Sequence, residues 1–214
     1  MNFKIADSKF KELLLPTLLI VMALNISSVV DSFFVGTFIG KHAVAAIDLL
    51  EPMILLATVL EWLFGLGGQI IALNKKAEFN VEESNIFFTT SMVVSFIVAL
   101  IFSIISLLFN SELATALGST AATKSLVIQY STYLYGCFVV STVVGILSQY
   151  IRVDGQANFA SAVIIIANLI NIALDYYFLS SGMGMASASL ASFIGYTIGL
   201  LICIIYIRNP KRTF

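Results

Sequence analysis

Six apolar stretches, each long enough to cross a bilayer, divide this chain of 214 residues and leave few folds open to it. A spanning helix needs about 20 apolar residues. Windows of that kind fall at 13–36, 49–73, 86–109, 126–150, 157–179 and 184–207. In hydrocarbon every backbone N–H and C=O must find a partner inside the protein, which a helix provides within a single segment. The expected fold is therefore an all-α membrane protein, a single six-helix transmembrane bundle over residues 1–214. Composition agrees. Only 11 % of residues are charged and 59 % are hydrophobic, with a mean hydropathy of +1.01, whereas soluble domains carry about 25 % charged residues. A net charge of -1 argues against a nucleic-acid partner. Cys137 and Cys203 both fall in apolar runs and read as small buried hydrophobes rather than a disulfide or a metal site.

The breaks between windows are polar or glycine-bearing: 37–48, 74–85, 110–125, 152–158 and 180–184. The last two are tight, so the fourth, fifth and sixth helices are expected as antiparallel neighbours. The first run is too long for a signal-peptide core of about 7–15 residues and is expected to be retained. An even number of spans returns both termini to one side. Lys4, Lys9, Lys11, Lys75, Lys76, Arg152, Arg208, Lys211 and Arg212 share that side, nine of the eleven basic residues, with only Lys41 and Lys124 opposite. The positive-inside rule then places both termini in the cytoplasm, in a multi-pass protein of the plasma (cytoplasmic) membrane.

Polar residues inside the spans carry the functional information. In the fifth window, helical spacing sets Asn168, Asn171 and Asp175 on one stripe. An aspartate at the centre of a membrane helix costs about 2.5–3.5 kcal/mol on insertion scales, so such a group marks an ion or substrate path. The first window carries Ser27, Ser28 and Asp31, with Pro16 some turns earlier as a candidate hinge. Asp31 either reaches the interface or faces inward. If inward, it lies at the depth of Asp175, in the outer half of the bundle. Two carboxylates close together in a poorly solvated pocket cannot both ionise cheaply, which makes the pair a candidate proton site. With Asn171 and hydroxyl oxygens the same groups suit Na⁺. A purely structural network between helices is the alternative.

Glu61 lies within the second window, followed by Gly65, Gly68 and Gln69 at helical spacing. Glu61, Gln69 and Asn168 are candidate substrate contacts or structural groups. Asp48 and Glu51 read as interfacial, His42 as a residue of an external loop, and Tyr130, Tyr133 and Tyr135 as interfacial anchors rather than cavity lining. Arg152-Val153-Asp154-Gly155-Gln156 is a tight turn that could also serve as a gate.

Several of these segments, in this order along six spans, resemble the MATE (multidrug and toxic compound extrusion) family. They are Pro16 with the run Asp31-Ser32-Phe33-Phe34-Val35-Gly36, Ala43 to Pro52, Arg152-Val153-Asp154-Gly155, Asn171 to Asp175, and Gly182 to Ser192. The resemblance implies a fold of two six-helix lobes around a central cleft, of which this chain is similar to the amino-terminal lobe. It implies a coupling site for H⁺ or Na⁺ at Asp31, Asn171 and Asp175, with Ser192 matching a hydroxyl of the sixth helix. It implies antiport that expels organic, cationic or amphipathic small molecules across the lipid bilayer, with no cofactor beyond the coupling ion and no enzymatic activity. Protonation of the aspartates would bend the first helix near Pro16. A carboxyl whose pKa differs by about two units between states supplies about 2.7 kcal/mol toward such a change. The half length implies a fragment or a half-transporter completed by a second lobe or a second copy, two parallel copies forming a twelve-helix pair.

Three other readings compete. A lipid-linked precursor flippase of the related superfamily would favour a cationic cleft, and no span carries an internal Lys or Arg. An intramembrane aspartyl protease would use Asp31 and Asp175, but the Gly-x-Gly-Asp signature is missing. A membrane subunit with no transport of its own is the third.

Overall fold

The structure is a computed structural model that describes residues 3–208, the side chains of 3–9, 11–13, 16 and 153 excepted. Helix α1 runs Phe3–Phe38 and α2 Lys41–Glu61; a π-helical turn, Trp62–Leu66, leads into α3, Gly67–Ala77. Then follow α4 Val81–Leu108, the short α5 Asn110–Ala116, α6 Lys124–Val153, α7 Ala157–Ser180 and α8 Ala186–Ile207. Among the described residues there is no strand. Six segments of the described residues are long and apolar enough to cross a membrane: Thr17–Phe38, Lys41–Ala77, Val81–Leu108, Lys124–Arg152, Ala157–Ser180 and Ala186–Ile207. At one end of the bundle lie Lys75, Lys76, Arg152 and Arg208, and at the other Lys41 and Lys124. The side chains of Lys4, Lys9, Lys11 and Pro16, and all of Lys211 and Arg212, lie outside the described residues.

Helix α6 is the axis of the bundle. It packs on α2, α4, α7 and α8, and 61 % of its apolar window is buried against 17 % for the first span. That position corrects one expectation. Tyr130 and Tyr135 are buried, because α6 has no face toward lipid at those registers, and of the three tyrosines only Tyr133 is exposed. Large apolar side chains left exposed on α1, α2 and α4, such as Val29, Leu55 and Ile101, form a lipid-facing surface of the kind a spanning bundle requires.

The helix packing of the interior rests on small residues, as expected where lipid offers no hydrophobic drive between helices. Helix α4 buries Ser84, Ser91, Ser95, Ala99, Ser103 and Ser106 along one face. The Ser84 hydroxyl donates to the Ala72 carbonyl at 2.8 Å and that of Ser103 to the Tyr135 carbonyl at 2.6 Å, while Ser91 and Tyr150 hydroxyls pair at 3.1 Å. Between α7 and α8 the approach is closer. A Cβ on Gly195 would stand 2.5 Å from the carbonyl oxygen of Ala167.

The connections are shorter than the sequence suggests. Residues 41–48 are helical, and α1 meets α2 at a turn where Gly40 adopts φ 116°. His42 thus sits exposed in the first turn of α2, not in a loop, because polar residues at a helix end solvate at the interface without interrupting the helix. Within 110–125 the chain forms α5. The second span also departs from regular spacing: the π turn inserts a residue between Glu61 and Gly67. Asn80 caps α4, its side chain accepting from the Glu83 amide at 3.1 Å, beside Lys75 paired to Glu78 and Glu83.

Candidate functional site

The fold brings α1, α7 and α8 together around Asn171, one turn from Asp175. The Asn171 amide is used in three directions. Its Nδ2 donates to Asp175 Oδ2 at 2.8 Å and to Ser192 Oγ at 3.1 Å, and its Oδ1 accepts from Ser27 Oγ at 2.8 Å. Asp175 is fully buried, with 0 % exposure, and Asn171 and Ser27 are nearly so. Asp31, one turn beyond Ser27 on α1, brings its carboxyl within hydrogen-bonding reach of Asp175. Phe34 and Phe38 close on Tyr176 at 5.7 and 6.2 Å between ring centres, pinning α1 to α7 beside the two acids.

One feature of the pair decides its chemistry. Asp31 Oδ1 and Asp175 Oδ1 are both buried and neither meets a donor. Carboxylates have only acceptor sites when ionised, and gain a donor when one is protonated. Two facing acceptors in a medium of low dielectric need a proton or a cation between them. Tyr130 on α6 and Tyr196 on α8 stand within electrostatic range of Asp31, and no Lys, Arg or His among the described residues bonds either acid.

The other candidates are placed elsewhere. Asn168 turns back on its own helix, donating to the Ile164 carbonyl at 2.8 Å. Gln69 donates to the Gln149 carbonyl at 2.9 Å and ties α3 to α6. Glu61 lies on another wall of the bundle, against Gly145. Asp48 and Glu51 are exposed on α2. At the far end of the bundle Asp154 accepts from the Tyr206 hydroxyl at 3.2 Å, and Gly155 takes φ 83°. Ser27, its spacing of four to Asp31 visible in the sequence, Tyr130 and Tyr196 are residues of this neighbourhood that sequence reasoning did not single out as site members.

The sequence model of the MatE family matches residues 16–177. The chain belongs to the MatE family. No curated protein matches its sequence. Solved structures give the fold. The outward-facing conformation of a multidrug resistance MATE family transporter of the MOP superfamily superposes at a TM-score of 0.85 with 20 % identity, over 92 % of this chain and 44 % of that one. MATE in the bent conformation superposes at 0.86 with 19 % identity, over 94 % and 45 %. A MOP superfamily transporter from Pyrococcus furiosus, described as having a binding pocket of reverse polarity, superposes at 0.84 with 20 % identity, over 92 % and 44 %. The chain thus spans less than half the length of these transporters, as one six-helix lobe of a MATE fold.

The hydrogen-bond pattern yields a direct expectation for this MatE lobe. Asn171→Ala removes three bonds and strands Asp175 Oδ2 and Ser27 Oγ, and should destabilise the bundle by about 1–3 kcal/mol. Ser192→Ala removes one bond and should cost about 0.6 kcal/mol, the usual value between membrane helices. Thermal unfolding of the two variants in detergent checks the order; equal midpoints would mean that Asn171 does not organise the cluster.

Proposed function

We propose that this chain works as one lobe of a proton-coupled antiporter that exports organic cationic or amphipathic molecules, with Asp31 and Asp175 as the coupling pair. Members of its family are transporters rather than enzymes, so the acid pair is read as a carrier of charge and not as a hydrolytic dyad. The observation that carries the reading is the donorless contact between Asp31 and Asp175 in the membrane interior.

The same geometry favours H⁺ over Na⁺. A sodium ion would draw on the Asn171 carbonyl oxygen, which already accepts from Ser27, while the amide hydrogens of Asn171 point at Asp175 and Ser192. A proton between the two carboxyls leaves every one of these bonds in place. Both termini are cytoplasmic in this reading, so that the pair lies in the outer half of the bundle and takes its proton from outside. Bending of α1 near Pro16 would then turn proton binding into substrate release. A second lobe or a second copy of the chain completes the cleft. Native mass spectrometry in nanodiscs distinguishes these, a second copy giving twice 23.2 kDa.

The whole chain, reconstituted with whatever partner that measurement identifies, tests the reading with ethidium as a fluorescent lipophilic cation. An imposed pH gradient, acid on the outer face, should drive ethidium flux, and a Na⁺ gradient at constant pH should not. Flux driven by Na⁺ alone would overturn the choice of ion, and no flux under either gradient would overturn the antiporter.

A further inference from the structure

Among the serines buried on α4, Ser84, Ser91 and Ser103 bond to neighbouring helices, but the Ser95 hydroxyl, buried with the residue 2 % exposed, has no partner. It faces a cavity of ≈ 10 Å³ whose wall also holds Glu61 and Thr142, the rest being apolar, with Ala99, Phe102 and Phe138 among it. Glu61 enters from the end of α2, where the backbone passes into the π turn. Such insertions recur at functional sites because they re-aim a side chain. Gly145 on α6 leaves the space that the carboxyl fills, since a methyl group there would overlap it. Among the described residues no cation or donor offsets the burial of Glu61.

What could occupy this place follows from its size and its groups. A cavity of this volume holds one water and no organic cation. A metal ion would want several carboxylate, His or Cys ligands, and no group of three or more exists among the described residues. A bare carboxylate inside the membrane is expensive, as is a hydroxyl with no partner. One proton and one water remove both costs. The carboxylate accepts H⁺ to become a carboxyl, the carboxyl donates to the water, and the water donates to Ser95 Oγ.

We propose that Glu61, Ser95 and Thr142, with one water in this cavity, form a second proton-binding site of the lobe, separate from the Asp31–Asp175 pair. The groups facing it from α4 and α6 are uncharged. From α8 its titratable neighbour is Tyr196, which is also within electrostatic range of Asp31 and of Cys137. Tyr196 therefore lies in the field of both acid sites.

Infrared difference spectra of the whole chain in lipid, recorded between about pH 6 and alkaline pH, above the range near about 4 where exposed carboxyls titrate, read buried protonated carboxyls directly through their C=O stretch. In the Asp31→Asn, Asp175→Asn double variant one titrating carboxyl band should remain. Adding Glu61→Gln, which preserves shape, should abolish it. Adding Ser95→Ala instead should keep the band but shift its frequency and midpoint, because the water loses its acceptor. A double variant with no titrating band, or a band that survives Glu61→Gln, would overturn the proposal. So would a band untouched by Ser95→Ala, which also serves as the deciding variant should the Glu61→Gln protein fail to fold. The proposal is independent of the antiport reading, which rests on Asp31 and Asp175 and fails or stands by the ion gradient that drives ethidium.

Discussion

Replacing Asp175 with asparagine should uncouple substrate from proton while leaving the fold intact. The new side chain keeps the size of the old one, and its Oδ1 still accepts from Asn171, as Asp175 Oδ2 does at 2.8 Å. Its Nδ2 supplies the donor that the facing carboxyls lack, since Asp31 Oδ1 and Asp175 Oδ1 have none. The variant is thus locked in the equivalent of the protonated state. On the proposed antiport a proton and an exported cation compete in the native chain, so affinity for ethidium should strengthen as pH rises. One linked proton gives at most about tenfold per pH unit, or about 1.36 kcal/mol. In Asp175→Asn the slope should vanish, and gradient-driven flux should fall at least tenfold. Binding isotherms at several pH values measure the slope, and thermal unfolding confirms that the variant is folded. A folded variant with the native slope would mean that Asp175 carries no coupled proton, since a ligand shifts only what it binds differentially.

The class of fold was legible because hydrocarbon leaves a chain little freedom. Windows of about 20 apolar residues and the sidedness of Lys and Arg are set by the bilayer, not by tertiary contacts. The stripe of Asn171 and Asp175 stood out for a related reason: a polar group in lipid is costly enough to need a purpose. Features that depend on which helix stands beside which were not legible. Tyr130 and Tyr135 look like interfacial anchors in one dimension and are buried only because α6 is the axis of the bundle. His42 looked like a loop residue because polarity at a span end resembles polarity in a loop. The π turn at Trp62–Leu66 has no compositional mark, and it alters the facing of every residue after Glu61. The buried serine face of α4 was not read from the sequence, and Ser95 stands apart from Ser84, Ser91 and Ser103 only once the partners of those three are known.

Gly195→Val should damage the bundle severely, and the reason ties packing to the site. Helix α8 approaches α7 so closely that a Cβ at Gly195 would meet the Ala167 carbonyl oxygen at 2.5 Å and Asn171 Cβ at 3.3 Å. Backbone cannot yield as a side-chain tip can, so the helices must separate. Overpacking of this kind costs about 1–3 kcal/mol or more, and between membrane helices small residues supply much of the packing that holds them together. Separation also draws Ser192 from Asn171, whose contact is 3.1 Å, so the cluster should loosen along with the bundle. Gly199, one turn further on, is the internal control. A Cβ there would meet Ala167 Cβ at 3.4 Å and Val144 Cγ1 at 3.6 Å, which is ordinary contact. Gly199→Ala should therefore keep the native unfolding midpoint in detergent while Gly195→Val lowers it sharply. Equal midpoints would show that the α7–α8 seam is not held at Gly195. Unequal midpoints with an unchanged pH slope of ethidium binding would separate the seam from the coupling pair, and the hydrogen bond to Ser192 would then serve packing alone.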